Sequence, residues 1–438
     1  MGRSAGKDAN GMSWKIYRSS HPRYTTYVVG LLTVLAVLNT LDRMVISILV
    51  QPIKEELGLS DTDLGLVMGL GFSLMYATCA FPLARMADRG NRRNILGAIL
   101  ALWSLATALC GLAQTALQLI VCRMVMAGAE SGQMPVAQSL VADYVTPQRR
   151  ARAIGWLGAG TTVGGLLGLV LGGWLGQEFG WRWAFVAVGL PGVLIAGVLF
   201  LTLREPRDLF AGTQRATEDE VQPLGATIRL LVSRRSFVML TLAATFCTIP
   251  AYSASMWNAA LMMRRFGVSV GQAGLFLGLV AGTAATAGML LGGYLGERGK
   301  SGPKGLIGPM WAMLLAGPVF TMAYVAPSFH WSIALLIFPS IAGGVWYPPI
   351  YAALQNSVPA RTRAIAVAVM MFVTSTMGLG LGPTMVGVMS DLMEPMFGTD
   401  SLRMAVIGMA NLTVVGALFL LLSKRALEQE AVGQAALA

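Results

Sequence analysis

The chain has 438 residues, of which 55% are hydrophobic and only 12% charged, with a mean hydropathy of +0.64. A soluble domain carries about 25% charged residues, so this chain lacks the polar surface to cover a water-soluble globule. Disordered and collagen-like classes are excluded with it, and the net charge of +11 has to be explained inside a membrane protein.

A helical crossing needs about 20 mostly apolar residues for roughly 30 Å of hydrocarbon. In chain order the sequence begins with a polar, basic tail over 1–25, carrying Arg3, Lys7, Lys15, Arg18 and Arg23. Six predicted spans follow at 26–50, 62–86, 94–113, 115–143, 151–176 and 182–203. The first is too long and too polar in its second half for a cleaved signal peptide. A polar linker over 205–236 comes next, with a Glu218-Asp219-Glu220 run that reads as solvated surface. Within it, Ala226–Val232 with Arg229 predicts a helix lying along the membrane. Six further spans at 237–262, 270–296, 305–325, 330–357, 363–390 and 402–423 lead to a tail over 425–438. The expected organisation is a bundle over 26–204, the linker, and a second bundle over 237–424.

Lysine and arginine orient the spans. The tails and alternate loops on one side hold 25 of the 32, the other side holds five, and Arg43 and Arg123 lie inside spans. That bias puts both termini in the cytoplasm. It also explains the net charge as topology and attraction to anionic lipid heads, without nucleic acid. The four cysteines, Cys79, Cys110, Cys122 and Cys247, sit in apolar runs with no metal or disulfide spacing. No cofactor or metal is expected.

Two segments repeat. Gln148-Arg149-Arg150-Ala151-Arg152-Ala153-Ile154 returns as Pro359-Ala360-Arg361-Thr362-Arg363-Ala364-Ile365, and Ala84-Arg85-Met86-Ala87-Asp88-Arg89 returns as Gly293-Tyr294-Leu295-Gly296-Glu297-Arg298. The offsets are 211 and 209 residues, on the same side in both halves. The chain is therefore read as an all-α membrane protein of twelve transmembrane helices in two parallel six-helix repeats. Gly299-Lys300-Ser301 imitates the end of a phosphate loop, but Tyr294 stands where that loop needs glycine and no strand precedes it.

The stretch from Ala84 to Arg93 resembles the loop signature of the major facilitator transporters, matching at Asp88, Arg89, Arg92 and Arg93. Asn91 before the basic pair is similar to the Spinster branch of that superfamily. Leu41-Asp42-Arg43, Arg123 with Gly128-Ala129-Glu130-Ser131, and Arg204-Glu205-Pro206 agree with it. The resemblance implies a proton-linked carrier of amphipathic lipids such as lysophospholipids or sphingosine-1-phosphate. Sugar-acid carriers share several of these motifs. It also implies a cytoplasmic latch built on Asp88, Arg89 and Arg92, with Arg149, Arg150 and Arg152 as partners across the bundle.

Asp42, Arg43, Arg123 and Glu130 are the formal charges deep in spans. Each costs at least a few kcal/mol at the bilayer centre, so each should face a wet cavity or another charge. Arg123 and Glu130 share one helix face about 10 Å apart, too far for direct contact, and each is expected to meet a partner from span one. Burial raises a carboxyl pKa and a neighbouring arginine lowers it. Glu130 and Asp42 are thus the proton-coupling candidates, with Arg43 and Arg123 as counter-ions or headgroup anchors. A static ion-pair cluster is the competing reading.

The second half has no charge in mid-span. Its polar accents are Tyr252, Trp257, Asn258, Trp346, Tyr347, Tyr351, Gln355 and Asn356, read as the greasy wall of a substrate cavity. A charged wall facing an apolar one suits an anionic amphiphile, with a small organic anion such as a sugar acid as the alternative. Glycines over 158–176 and 378–387 are expected at the seam between halves, and Pro348-Pro349 is expected to kink span ten. A monomer in the cell membrane is expected. A lipid-processing enzyme lacks a nucleophile with a base, since His21 and His330 lie at span ends. A non-transporting sensor on the same scaffold would bind ligand without moving it.

Overall fold

The computed structural model describes residues 22–206, 224–299, 302–359 and 362–437. Most of the basic N-terminal tail, the Glu218-Asp219-Glu220 run, Lys300-Ser301 and Ala360-Arg361 lie outside the described residues, as does the side chain of Asp88. Within them the apolar spans become helices. In the first half these are α1 (Pro22–Leu57), α2 (Asp61–Met68 and Leu70–Arg89), α3 (Arg92–Cys110) and α4 (Ala116–Glu130 and Gln133–Tyr144). One long run, Pro147–Thr202, holds α5 and α6, which part at Gly180 with φ 81°. Only glycine adopts that backbone without strain.

The second half contains α7 (Arg235–Phe266), α8 (Val270–Arg298), α9 (Ile307–Val325) and α10 (Phe329–Val345 and Tyr347–Ser357). In α11, Arg363–Ser375 and Gly382–Phe397 flank a π-helical turn at Thr376–Leu381; α12 is Ser401–Ala410 with Leu412–Leu437. The starts follow local chemistry. Ser60 and Ser269 form capping boxes with Asp63 and Gln272, and the Asn91 side chain accepts the amide of Asn94.

Among the described residues, nine stretches are long and apolar enough to cross a membrane. Two of these, Gln148–Thr202 and Ile365–Val432, contain two crossings each, and α4 falls short because it breaks at Ser131 and Gly132. Twelve crossings put both chain ends on one face, the terminal face; the other is the far face. The linker helix expected from sequence is present as Leu224–Ser233 and packs against α7 and the start of α11. The kink expected from Pro348-Pro349 is instead a break at Trp346, after which the prolines occupy the first turn of a new segment. There a missing amide donor leaves nothing unsatisfied.

The repeat is visible in the packing. Helix α2 packs on α4, α3 on α4 and α3 on α6; the equivalents α8 on α10, α9 on α10 and α9 on α12 recur in the second half. The halves meet along two related seams, α5 with α8 and α2 with α11, and along α1 with α7. The glycine-rich stretches reach these seams only in part: Gly173 and Gly176 meet α8, and Gly380 and Gly387 meet α2, while Gly160, Gly164, Gly168 and Gly172 pack on α1 and Gly378 and Gly382 on α7, each within its own half. A Cβ on Gly173 would sit 2.9 Å from Val270 O and 3.2 Å from Gly274 Cα, so the two backbones touch. Gly274→Val should force α8 away from Leu169 and Gly173. It should cost about 1–3 kcal/mol, the usual penalty of overpacking, read as a lower Tm of the purified protein.

Candidate functional site

Six charged side chains among the described residues are under a tenth exposed: Asp42, Asp61, Arg92, Arg123, Glu130 and Glu205. All belong to the first half. They form three groups at three depths.

At the terminal face, Arg92 opens α3 and is clamped inside the first half. Its Nη2 lies 2.6 Å from Glu205 Oε1 and 2.6 Å from Asp143 Oδ2, and its Nη1 donates to Ser139 Oγ at 2.9 Å. Glu205 also accepts the Arg92 backbone amide at 2.6 Å. These contacts tie the starts of α3, the end of α4 and the segment after α6 into one body. The expected latch residue is therefore committed within its own half. Arg89 and Arg152 are exposed, and Arg150 turns inward to donate to the carbonyls of Ala142 and Val145.

At the far face the halves are tied to each other. Asp61, at the start of α2, receives two bonds from Arg264 of α7 (Nη1 to Oδ2 2.7 Å, Nη2 to Oδ1 2.6 Å). Lys54 Nζ and Ser390 Oγ complete its shell at 2.5 and 2.7 Å. Asp391 of α11 reaches across to accept the amides of Asp61 and Thr62 at 3.1 and 2.8 Å. An acidic side chain from one half thus caps a helix of the other, where the amides and the helix dipole both favour it. Sequence reading missed this interlock, because Lys54 and Arg264 stood only as loop charges and Asp61 and Asp391 fell at span edges.

Midway lies the group that the sequence singled out. Glu130 is fully buried on α4, and its Oε2 accepts from Arg43 of α1, with Nη2 at 3.1 Å and Nε at 3.3 Å. Its Oε1 has no partner among the described residues. The second expected pair does not form. Arg123 makes no ion pair there: its guanidinium lies over the Phe72 ring, 4.8 Å from the centroid, and Nη1 meets Met126 Sδ at 3.5 Å. Phe72 of α2 also receives Arg43 at 5.2 Å, so one ring serves two cations. Asp42 is buried against Trp103 and Thr107 of α3, within electrostatic reach of Glu130 and Arg123. Asn39 Nδ2, Asp42 Oδ1, Arg123 Nε and Nη2 and Gln133 Nε2 also lack partners among the described residues. Buried polar atoms are ordinarily hydrogen-bonded, so each of these has capacity left for a further partner.

Arg43 is the member of this group that keeps access, with 15% of its side chain exposed. Around it stand Tyr76, 5.0 Å from the guanidinium, and Tyr252 of α7. Tyr347 lies within electrostatic reach of Tyr252 and packs on Tyr351 with ring centroids 4.4 Å apart. A cavity of about 250 Å³ between α1, α5, α7 and α8 is lined by Thr40, Met44, Leu166, Ser255 and Met289 among others, and by neither Arg43 nor any of these tyrosines. The remaining cavity candidates divide. Trp257 is fully buried and donates to Pro383 O at 2.9 Å, and Asn258 accepts from Tyr324 at 2.8 Å, so both serve helix packing. Trp346 is buried behind Tyr347, while Gln355 and Asn356 are exposed toward the terminal face.

A parallel repeat of helical bundles, with buried charge confined to one of them and seams between the two, is the plan of a membrane transporter. A sequence model of the Major Facilitator Superfamily matches residues 32–383, and the chain belongs to that family. It is 32% identical, over 91% of its own length and 90% of the relative's, to an MFS-type efflux pump of Mycolicibacterium smegmatis. A bacterial homologue of the human lysosomal transporter Spinster, solved inward-facing and unoccupied, superposes with a TM-score of 0.83 at 30% identity. That match covers 93% of this chain and 98% of the other. A probable L-galactonate transporter of Escherichia coli is 28% identical over 62% of each chain.

The far-face interlock gives a direct test. Arg264→Gln leaves Asp61 buried with Lys54 as its one remaining cation among the described residues, and breaking such a buried pair costs about 3 kcal/mol or more. In a cysteine-free background carrying Thr384→Cys, this substitution should speed labelling from the far side. Unchanged labelling would show that the interlock does not hold that face shut.

Proposed function

We propose that this protein is a proton-coupled secondary transporter of an anionic amphipathic molecule, moved by rocking of the bundles 26–204 and 237–424. The observation that carries the reading is the half-met Glu130: one oxygen held by Arg43, the other unpartnered, in a fully buried position. Arg43 is the accessible partner of this pair. An anionic headgroup arriving at Arg43 competes with Glu130 for the guanidinium, and a carboxylate stripped of its counter-ion in an apolar site takes up a proton. Binding of anion and proton thereby reinforce one another. Asp42 and Arg123 set the field around that exchange, and Arg123, already lacking a carboxylate partner, is a second anchor for the headgroup.

The tail of the substrate is assigned to the uncharged wall, with Tyr252, Tyr347 and Tyr351 nearest the headgroup. With the terminal face taken as cytoplasmic from the lysine and arginine bias, the far-face interlock describes an inward-facing state. Asp88, Arg89 and Arg152 are the proposed residues of closure on the cytoplasmic side. A small organic anion such as a sugar acid is the second reading, favoured by the galactonate relative and by the tyrosine cluster, which offers hydroxyls and ring faces to a sugar.

In proteoliposomes with an imposed pH gradient, Glu130→Gln should abolish proton-driven accumulation while leaving the protein folded and able to bind substrate. Gradient-driven transport at the parent rate would remove Glu130 from the mechanism. Supplying a lysophospholipid and an aldonic acid in parallel separates the readings. The amphiphile should be accumulated and the acid ignored; the reverse result installs the second reading.

A further inference from the structure

We propose that a pocket at the terminal face, between the start of α1 and the start of α5, binds the anionic headgroup of a bilayer phospholipid. The pocket has a volume of about 480 Å³ and is bounded by Thr25, Val29, Thr33, Arg149, Arg152 and Trp156, among others. It shares no residue with the Arg43–Glu130 site, and of the proposed closure residues it takes in Arg152 alone.

Charge decides the ligand's sign. Arg149 and Arg152 are three residues apart on one helix, which puts them on the same face, and both are exposed. Neither side chain has a hydrogen-bond or ion-pair partner among the described residues, whereas that of their neighbour Arg150 is engaged with two carbonyls. The lining carries no carboxylate. Two guanidinium groups at the mouth of a cavity without a counter-charge call for an anion, and a phosphate diester accepts from arginine with matched geometry.

The rest of the wall decides that the anion is carried by a lipid. One turn deeper than Arg152 stands Trp156, 53% exposed, the residue type enriched at the membrane–water boundary. Val29, Val145 and Ala153 give apolar surface below the charges, and Thr25 and Thr33 lie along the facing helix α1. A free phosphate would fill the mouth alone. A phospholipid would fill the mouth with its headgroup and cover the apolar wall with its glycerol and upper chains.

The test uses the full-length protein purified in detergent, with thermal stabilisation and native mass spectrometry as readouts. Phosphatidylglycerol should stabilise the protein and remain bound, and phosphatidylcholine and water-soluble glycerol 3-phosphate should do neither. The Arg149→Gln, Arg152→Gln double variant should weaken the apparent affinity for phosphatidylglycerol by about thirty-fold, following the usual contribution of two basic residues near an anionic lipid. Arg149→Lys with Arg152→Lys should largely retain binding, and Arg298→Gln, on the exposed end of α8, should leave it unchanged. Parent affinity in the glutamine variant overturns the proposal. So does equal retention of phosphatidylcholine by the parent protein, a result that needs no variant to fold. Full competition by glycerol 3-phosphate would overturn it too, in favour of a free-anion site.

Discussion

A charge held in a hydrocarbon slab must find an opposite charge, a hydrogen-bonding shell or water, because nothing else offsets its lost hydration. This protein meets that demand unevenly. Arg92 and Asp61 are surrounded: one by Glu205, Asp143 and Ser139, the other by Arg264, Lys54 and Ser390. Glu130 is half provided for, and Asp42 and Arg123 have no carboxylate–guanidinium contact among the described residues. Complete shells belong to structure, since they lose energy whenever they open. Incomplete ones stand nearer to balance and are where a proton or ligand shifts the equilibrium most.

The position of each complete shell relative to the seams matters as much as its strength. The Arg92 cluster joins α3, α4 and the segment after α6, so all of it lies within one half. The Asp61 cluster spans α1 and α2 on one side and α7 and α11 on the other, so it has to break for the far face to open. Towards that same far face the backbones of α5 and α8 touch at Gly173 and Gly274, with no side chain between them.

Much of this was legible in the chain itself. Apolar run length located the twelve crossings, the residue repeat located the two halves, and the rarity of mid-span charge located Asp42, Arg43, Arg123 and Glu130. Sequence could pair Glu130 with a residue of span one, because a charge so deep has few possible partners. It could not foresee that Arg123 would rest on Phe72, since an aromatic in an apolar span looks like any other packing residue. Trp257 misled for the same reason in reverse: its indole is a helix-packing donor to Pro383, and only coordinates distinguish that from a cavity wall.

By itself, then, the sequence determined what depends on composition along one dimension: the number of crossings, their likeness in pairs, and which half must carry the ionisable groups. Hydrophobic length and the cost of isolated charge act locally, so they can be read from neighbours in the chain. The tertiary structure alone decided which charges are closed shells and which are open ones. Asp61 meets Asp391 and Ser390 across some 330 residues of intervening chain, and such partnerships are fixed by how twelve helices stack, which no local pattern encodes.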